Sequence, residues 1–302
     1  MPFELPARFD SEGTNAHRLY SGGAAWLERF GEDLLLSYKE DAAADRIREG
    51  LSGFAERSGL VWRRLFGKFI PRQNQDRIAP VLFEGDASLP METVVREGGM
   101  SFGLDFAAGY SAGLFIDQRA NRALVRRLGN GKLLNTFAYT CSFSVAAAVG
   151  GAQTTSIDLS KKSIARGREN FRLNQLKPEE QFGHRFYSDD VLDVMPWLVR
   201  RKESYDIVIL DPPTFSRGNG GRRFQVETGL EELMRLALEL AAPNAKILLS
   251  SNCTRMNRRA LEAVARFALK AARRAGDLHG ENPLPDVPEA LGAQTLWVFL
   301  RC

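Results

Sequence analysis

Cysteine is scarce, with three residues in 302. That is too few for a disulfide framework, so a reducing, cytoplasmic setting is expected. Long apolar runs are missing as well. None approaches the roughly 18 residues that a membrane span needs, which predicts a soluble protein without a membrane partner. The first residues, MPFELPARFDSEG, lack the basic-then-apolar layout of a secretory signal. Histidine is equally rare. His17, His184 and His279 are scattered without ligand spacing, so no metal is expected. Lysine is depleted too: it supplies 9 of the 41 basic residues, and arginine supplies the other 32.

What is present is ordinary for a globular chain. Hydrophobic residues make up 44% and charged residues 26%, and 41 basic side chains face 37 acidic ones. The net charge of +4 leaves nucleic acid open as a partner without demanding it. Arginine's planar fork suits phosphate and base recognition better than lysine's point charge. Several arginines cluster: Arg126-Arg127, Arg200-Arg201, Arg217 with Arg222-Arg223, Arg255 with Arg258-Arg259, and Arg273-Arg274. Arginine-rich codon usage and solvated helix faces account for such clusters equally well.

Two textures follow one another along the chain, dividing it into a small α+β domain over 1–108 and an α/β domain over 109–302. In the first, Leu34–Tyr38 reads as a strand and Asp41–Gly59 as a helix with Ile47, Leu51 and Phe54 on one face. Met91–Leu104 reads as a hairpin turning at Gly98-Gly99. In the second, strands and helices alternate. Helices are expected over Asp117–Leu128, Ser142–Val149, Ser160–Leu173, Glu227–Leu240 and Asn257–Ala272. Strands are expected over Lys132–Phe137, Gln153–Ile157, His184–Tyr187, Tyr205–Leu210, Lys246–Ser251 and Thr295–Leu300. Such alternation implies a mostly parallel, doubly wound sheet, whose ligands bind at the carboxyl ends of the strands.

Those strand ends carry a consistent set of groups. Phe137, Tyr139 and Thr140 follow the first, and the second ends on Asp158, 23 residues after Asn135. In nucleotide sites an acidic residue about 20 residues on takes the ribose hydroxyls. The third strand delivers Asp189 and Asp190, the latter placed to accept from an adenine amino group. The fourth delivers Asp211-Pro212-Pro213-Thr214-Phe215, and the fifth Asn252-Cys253. The first loop lacks G-x-G-x-x-G, and no G-x-x-x-x-G-K-[ST] loop occurs, so there is no cradle for a pyrophosphate or triphosphate. A cofactor with adenosine and no phosphate fits, and S-adenosyl-L-methionine is such a cofactor. Its sulfonium is cationic, for which a phosphate cradle would be electrostatically wrong.

The two prolines of Asp211-Pro212-Pro213 force the chain out of the sheet beside the cofactor. There Asp211 and neighbouring carbonyls suit the amino group of a planar base, and Phe215 suits stacking. Cys253 suits a second task. A thiolate adding at carbon 6 of a pyrimidine makes carbon 5 nucleophilic enough to take a methyl group, and nearby positive charge (Arg255) favours the thiolate. A small buried hydrophobe is the competing reading of the same cysteine. Cys141 and Cys302 read as structural. Arg217, Arg222 and Arg223, with Gly218, Gly220 and Gly221 among them, read as a loop that meets phosphates and orders on binding.

With these residues in place, the chain resembles the bacterial class I S-adenosylmethionine-dependent methyltransferases related to the 23S ribosomal RNA cytosine-5 methyltransferases. The resemblance rests on Leu114-Phe115-Ile116-Asp117-Gln118-Arg119, Asn135-Thr136-Phe137-Ala138-Tyr139-Thr140, Asp211-Pro212-Pro213-Thr214-Phe215 and Ile247-Leu248-Leu249-Ser250-Ser251-Asn252-Cys253. Less strongly, His17-Arg18-Leu19-Tyr20 and Arg29-Phe30-Gly31-Glu32-Asp33 resemble the small domain that precedes the catalytic one and helps to hold RNA. It implies a seven-stranded Rossmann-like domain. It also implies a cofactor pocket built from Asp117, Gln118, Arg119, Asn135, Phe137, Tyr139, Thr140, Asp158, Leu159, Ser160, Asp189, Asp190, Asp211 and Pro212. Cys253 falls at the nucleophile's position, with Asp211 as its catalytic companion. Pro213, Phe215, Arg217, Arg222, Arg223 and Arg255 would hold the substrate, large-subunit ribosomal RNA, with the enzyme a monomer or homodimer.

Three departures bear on that picture. The chain starts too late to contain the family's N-terminal RNA-binding module of the PUA type, so that module is expected to be missing. Cys141-Ser142 stand where many relatives have glycines, which predicts a stiffer loop. Finally, Asp211-Pro212-Pro213-Thr214-Phe215-Ser216 with Ser251-Asn252 also resembles the guanine-N7 branch of ribosomal RNA methyltransferases, which needs no cysteine. Methylation of guanine N7 or an exocyclic nitrogen, a small-molecule or protein substrate, and an RNA-binding module without turnover are the alternatives.

Overall fold

The computed structural model describes residues 6–71, 78–280, 284–288 and 292–302. The chain divides into two compact units. One is Met1–Arg119 with Pro283–Leu291, and the other is Ala120–Asn282 with Gly292–Cys302.

The first unit opens with a short helix, α1 (Pro6–Ser11). A five-stranded sheet follows, in the order β1 (Ala16–Ser21), β2 (Ala25–Phe30), β3 (Asp33–Tyr38), β4 (Arg64–Phe69), β5 (Val81–Gly85). Only β3 and β4 run parallel, and a parallel neighbour needs a crossover, which α2 (Asp41–Ser58) supplies. Ile47, Leu51 and Phe54 of α2 pack on Leu19, Leu27, Leu34 and Leu36, burying the apolar stripe that the sequence displays. The helix starts at Asp41 as expected, with Glu40 in the extended N-cap position. The hairpin of β6 (Glu92–Glu97) and β7 (Met100–Asp105) turns at Gly98-Gly99, both at positive φ, as a two-residue hairpin turn requires.

Strands β1, β2 and β4 escape the sequence reading because polar and charged residues, His17, Arg18, Glu28 and Arg64, are among those they bury, and β5 because it buries none of its residues. Arg64 and Asp33, both almost fully buried, pair through two hydrogen bonds of 2.8 and 2.9 Å. The Arg64 guanidinium also donates to the Leu89 and Pro90 carbonyls.

The second unit is a seven-stranded mixed sheet. After a 3-10 turn over Ile116–Gln118 that ends the first unit's N-terminal stretch, helix α3 (Arg119–Leu128) leads into β8 (Lys132–Thr136), α4 (Ser142–Val149), β9 (Gln153–Ile157), α5 (Lys161–Leu173) and β10 (His184–Tyr187). Then come α6 (Val191–Arg200), β11 (Tyr205–Leu210), a small hairpin of β12 (Phe215–Arg217) and β13 (Arg223–Gln225), α7 (Val226–Leu240) and β14 (Ala241–Ser251). The unit closes with α8 (Arg258–Ala271), β15 (Gly276–His279) and β16 (Gln294–Leu300). The spatial order is β10-β9-β8-β11-β14-β16-β15, parallel from β10 to β14 and antiparallel at β16 and β15. Ile207–Leu210 of β11 are all buried, as a strand covered on both faces should be. The chain winds outward from β8 to β10 and then returns to the other side of β8. The reversal between β8 and β11 is the switch point at which such sheets bind ligands.

Candidate functional site

The loop leaving β8 has an unusual backbone. Phe137, Tyr139 and Cys141 sit at φ of 52°, 48° and 59°, a left-handed region that costs non-glycine residues roughly 1–2 kcal/mol each. Surrounding bonds hold them there. Ala138 N donates to Ile157 O (2.9 Å), Tyr139 N to Asp158 Oδ2 (2.8 Å) and Cys141 N to Ala138 O (2.7 Å). Asn135 lies inside the sheet, its amide donating to Ser144 Oγ, which in turn meets Ser156. Thr140 is buried, and its carbonyl accepts from Asn170. Cys141 is fully buried against Gly167. Burial pushes its thiol up to about 12, which keeps it protonated and unreactive.

At the end of β9, Asp158 accepts from Tyr139 N through one oxygen and from Ser160 N (2.8 Å) through the other. Burial nonetheless raises its pKa above the usual aspartate range, against the pull of those two N–H donors. A carboxylate fixed and desolvated in this way suits ribose hydroxyls. Leu159 is exposed, and Ser160 caps α5 by accepting from Ser163 N.

At the end of β10, Asp189 accepts from Asp190 N, and Asp190 caps α6 by accepting from Leu192 N (2.9 Å). The other oxygen of Asp190 faces the β12–β13 hairpin. Arg222 Nη1 lies 3.7 Å from it and 2.9 Å from Asp193. A Cβ at Gly218 would overlap Asp190 Oδ2, so only glycine allows this approach. Phe224, across the hairpin, packs on Phe137 with ring centroids 5.6 Å apart. The segment expected to be an open Gly-rich loop is thus a closed hairpin, and Arg222 faces aspartates. Arg217 and Arg223 pair across it and are exposed.

The Asp211-Pro212-Pro213 exit follows β11, with Pro213 and Phe215 exposed at the hairpin's entry. Next to β11, β14 ends at Ser251. Register pairs Leu210 with Leu249, so Asp211 and Cys253 leave adjoining strand ends. Cys253 is 6% exposed. Its N–H donates to Ser251 Oγ, and its Sγ donates to Glu227 Oε1 at 3.6 Å. Arg255, largely exposed, pairs with the same Glu227 oxygen. Glu227 is missing from the sequence reading, because its partner lies 26 residues on. Its one signal was its place at the start of a helix.

Asp117, Gln118 and Arg119 belong to the first unit. Gln118 is buried there. Arg119 pairs with Asp286 and stacks over Phe9, which leaves its guanidinium engaged within that unit. Among the described residues, no group of His, Cys, Asp or Glu is arranged to hold a metal, and no helix is long and apolar enough to cross a membrane.

The donor set at the switch point fits an adenosine-bearing, phosphate-free cofactor: acidic groups at two successive strand ends and no phosphate cradle. Comparisons with known proteins agree. The profile of the S-adenosylmethionine-dependent methyltransferase family matches residues 58–299. A Pseudomonas putida protein named ribosomal RNA large subunit methyltransferase K/L is 32% identical over 219 residues, covering 72% of this chain and 28% of its own length. A Bacillus subtilis relative, YwbD, named as a candidate ribosomal RNA large subunit methyltransferase, is 32% identical over 196 residues. That match covers 64% of this chain and 48% of the relative. The chain therefore spans half or less of the length of these relatives. Among solved structures, SMU.776, a candidate methyltransferase complexed with SAH, superposes with a TM-score of 0.81 at 27% identity, covering 96% of this chain and 76% of its own.

Proposed function

The chain belongs to the S-adenosylmethionine-dependent methyltransferase family, and from that premise we propose that it methylates carbon 5 of a cytosine in large-subunit ribosomal RNA, with Cys253 as nucleophile. The cofactor supplies an electrophilic methyl group on a sulfonium. Asp158 would take its ribose hydroxyls, and the Asp189-Asp190 turn would face its adenine. The RNA substrate is supported by the names of the relatives, one a ribosomal RNA large subunit methyltransferase and the other a candidate one.

One observation carries the cytosine reading. Of the two buried cysteines, only Cys253 stands at a strand end beside the Asp211-Pro212-Pro213 exit, with a carboxylate and a guanidinium at hand. Phe215, exposed at that exit, would stack on a base splayed from its strand. Asp211 or the adjacent carbonyls would take the base's amino group. Arg217 and Arg223 would meet phosphates and set position rather than sequence. Arg222 would join them once released from its aspartates.

The burial of Cys253 favours a second reading, methylation of guanine N7 or an exocyclic nitrogen with the thiol as packing. Mass spectrometry of ribosomal RNA nucleosides from a deletion strain separates the two. Loss of a 5-methylcytidine is expected, and loss of a 7-methylguanosine would overturn the cytosine reading. In vitro, Cys253→Ala should bind S-adenosylmethionine normally by calorimetry while transfer falls below detection. Transfer at the wild-type rate would exclude the thiolate route.

A further inference from the structure

We infer that Glu227 is the base that removes the proton from carbon 5 once Cys253 has added to the ring, an inference that rests on the cytosine reading above. β13 ends at Gln225 and α7 starts at Val226, so Glu227 stands in the first turn of a helix that springs directly from the hairpin. Its Oε1 is 3.6 Å from Cys253 Sγ, within reach of whatever that sulfur holds. Arg255 pairs with the same oxygen and keeps the carboxylate turned toward the thiol. A bond from its own backbone N–H, then the Arg255 charge and the Cys253 thiol, hold Glu227 below the usual glutamate range, so it is ionised and ready to accept.

The bond changes balance. The thiol proton passes along its hydrogen bond to Glu227 and on to water. The sulfur electron pair then forms Sγ–C6, and the C5–C6 π electrons form the new C5–CH3 bond as the methyl leaves its sulfonium. Carbon 5 now bears both methyl and proton. Two reagents reach a planar ring from opposite faces, so this proton is turned to the sulfur side, where Glu227 lies. Glu227 takes it, the C–H pair restores the C5–C6 double bond, and Sγ leaves as thiolate.

The test is run at pH 8.5, where an ordinary thiol is about half ionised without help. Glu227→Gln on unmodified RNA with S-adenosylmethionine should accumulate a covalent protein–RNA band on a denaturing gel, while turnover falls about 10²- to 10⁴-fold. Glu227→Gln combined with Cys253→Ala should give no band. Glu227→Asp, which keeps the charge but withdraws it by one methylene, should hold its band longer than the wild type, and carries the test should the Gln variant not fold. Near-wild-type turnover by these variants, or slow turnover without a band, would overturn the role of Glu227. Wild-type protein on 5-fluorocytidine RNA, which has no carbon-5 proton to lose, should be trapped. If it is not, the cytosine reading itself fails. If it is trapped while Glu227→Gln turns over normally, only the Glu227 assignment fails.

Discussion

Single residues decide more than their number suggests, and the two buried cysteines show how. Cys141 is fully buried behind the loop after β8 and stays a thiol, and Cys253, buried at a strand end, has the Glu227 carboxylate 3.6 Å from its Sγ. Burial alone would have ranked them together. The Asp33–Arg64 pair makes a similar point about stability. Burial works to raise the pKa of Asp33, but hydrogen bonds from Arg64 and Arg63 prevail and hold it below the usual aspartate range. Its folded value therefore lies under its unfolded value of about 3.9. The stabilisation is present above about pH 4 and is lost as pH falls through the folded value. Asp33→Asn leaves Arg64 buried without its counter-charge and should cost about 3–5 kcal/mol at pH 7. Urea unfolding at pH 7 and pH 3 checks both claims. The wild type should lose stability on acidification, and the variant should lose much less.

Among elements, the loop between β8 and α4 and helix α5 depend on each other. A Cβ at Gly167 would overlap Cys141 Sγ and lie 2.9 Å from its Cβ. Gly167→Ala should destabilise the protein by about 1–3 kcal/mol through overpacking. Adding Cys141→Gly should recover most of that, because the second change removes the clashing side chain and suits the left-handed backbone at 141. Thermal unfolding of the single and double variants tests the coupling.

The same comparison explains what was legible beforehand. Most helices and strands from Lys132 to Ala271 could be placed within a residue or so, because apolar strands and amphipathic helices alternate there with polar turns; β14 starts earlier than expected, and α6, which carries Pro196 inside it, was not expected at all. The β12–β13 hairpin could not be placed, since Arg217 to Arg223 carries three glycines and no apolar alternation. Contacts with Asp190, Asp193 and Phe137 shape it instead. β15, Gly276–His279, is a short polar edge strand and lacks a pattern for the same reason. Candidate site residues at strand ends were visible because each ended an apolar run. Glu227 was not, because nothing local ties a helix start to a cysteine two elements away.

At the scale of the whole molecule, the arginine excess resolves into different uses. Arg274 ties down the carbonyls of Leu238 in the last turn of α7 and of Ala241, Ala242 and Pro243 at the start of β14, which is structural work. Arg217 and Arg223 stand exposed on the hairpin, and Arg258 and Arg259 at the start of α8. If RNA lies along that carboxyl edge, replacing Arg217 or Arg223 by alanine should reduce the slope of log affinity against log salt by about one each. Arg200, at the far end of α6, is the control and should leave the slope unchanged. Filter binding across a salt series reads both.

The return of residues 283–291 to the first unit means that a gene fragment ending at Arg119 encodes only part of a folding unit. Asp286 accepts from the backbone N–H of Arg18 on β1, and its carboxylate receives the Arg119 guanidinium, while its carbonyl accepts from Ser21. A truncation would leave these donors unanswered in a buried place. Recombination that exchanges this unit between relatives must therefore carry two separated stretches of coding sequence together, so the joint between the units resists shuffling at a single crossover.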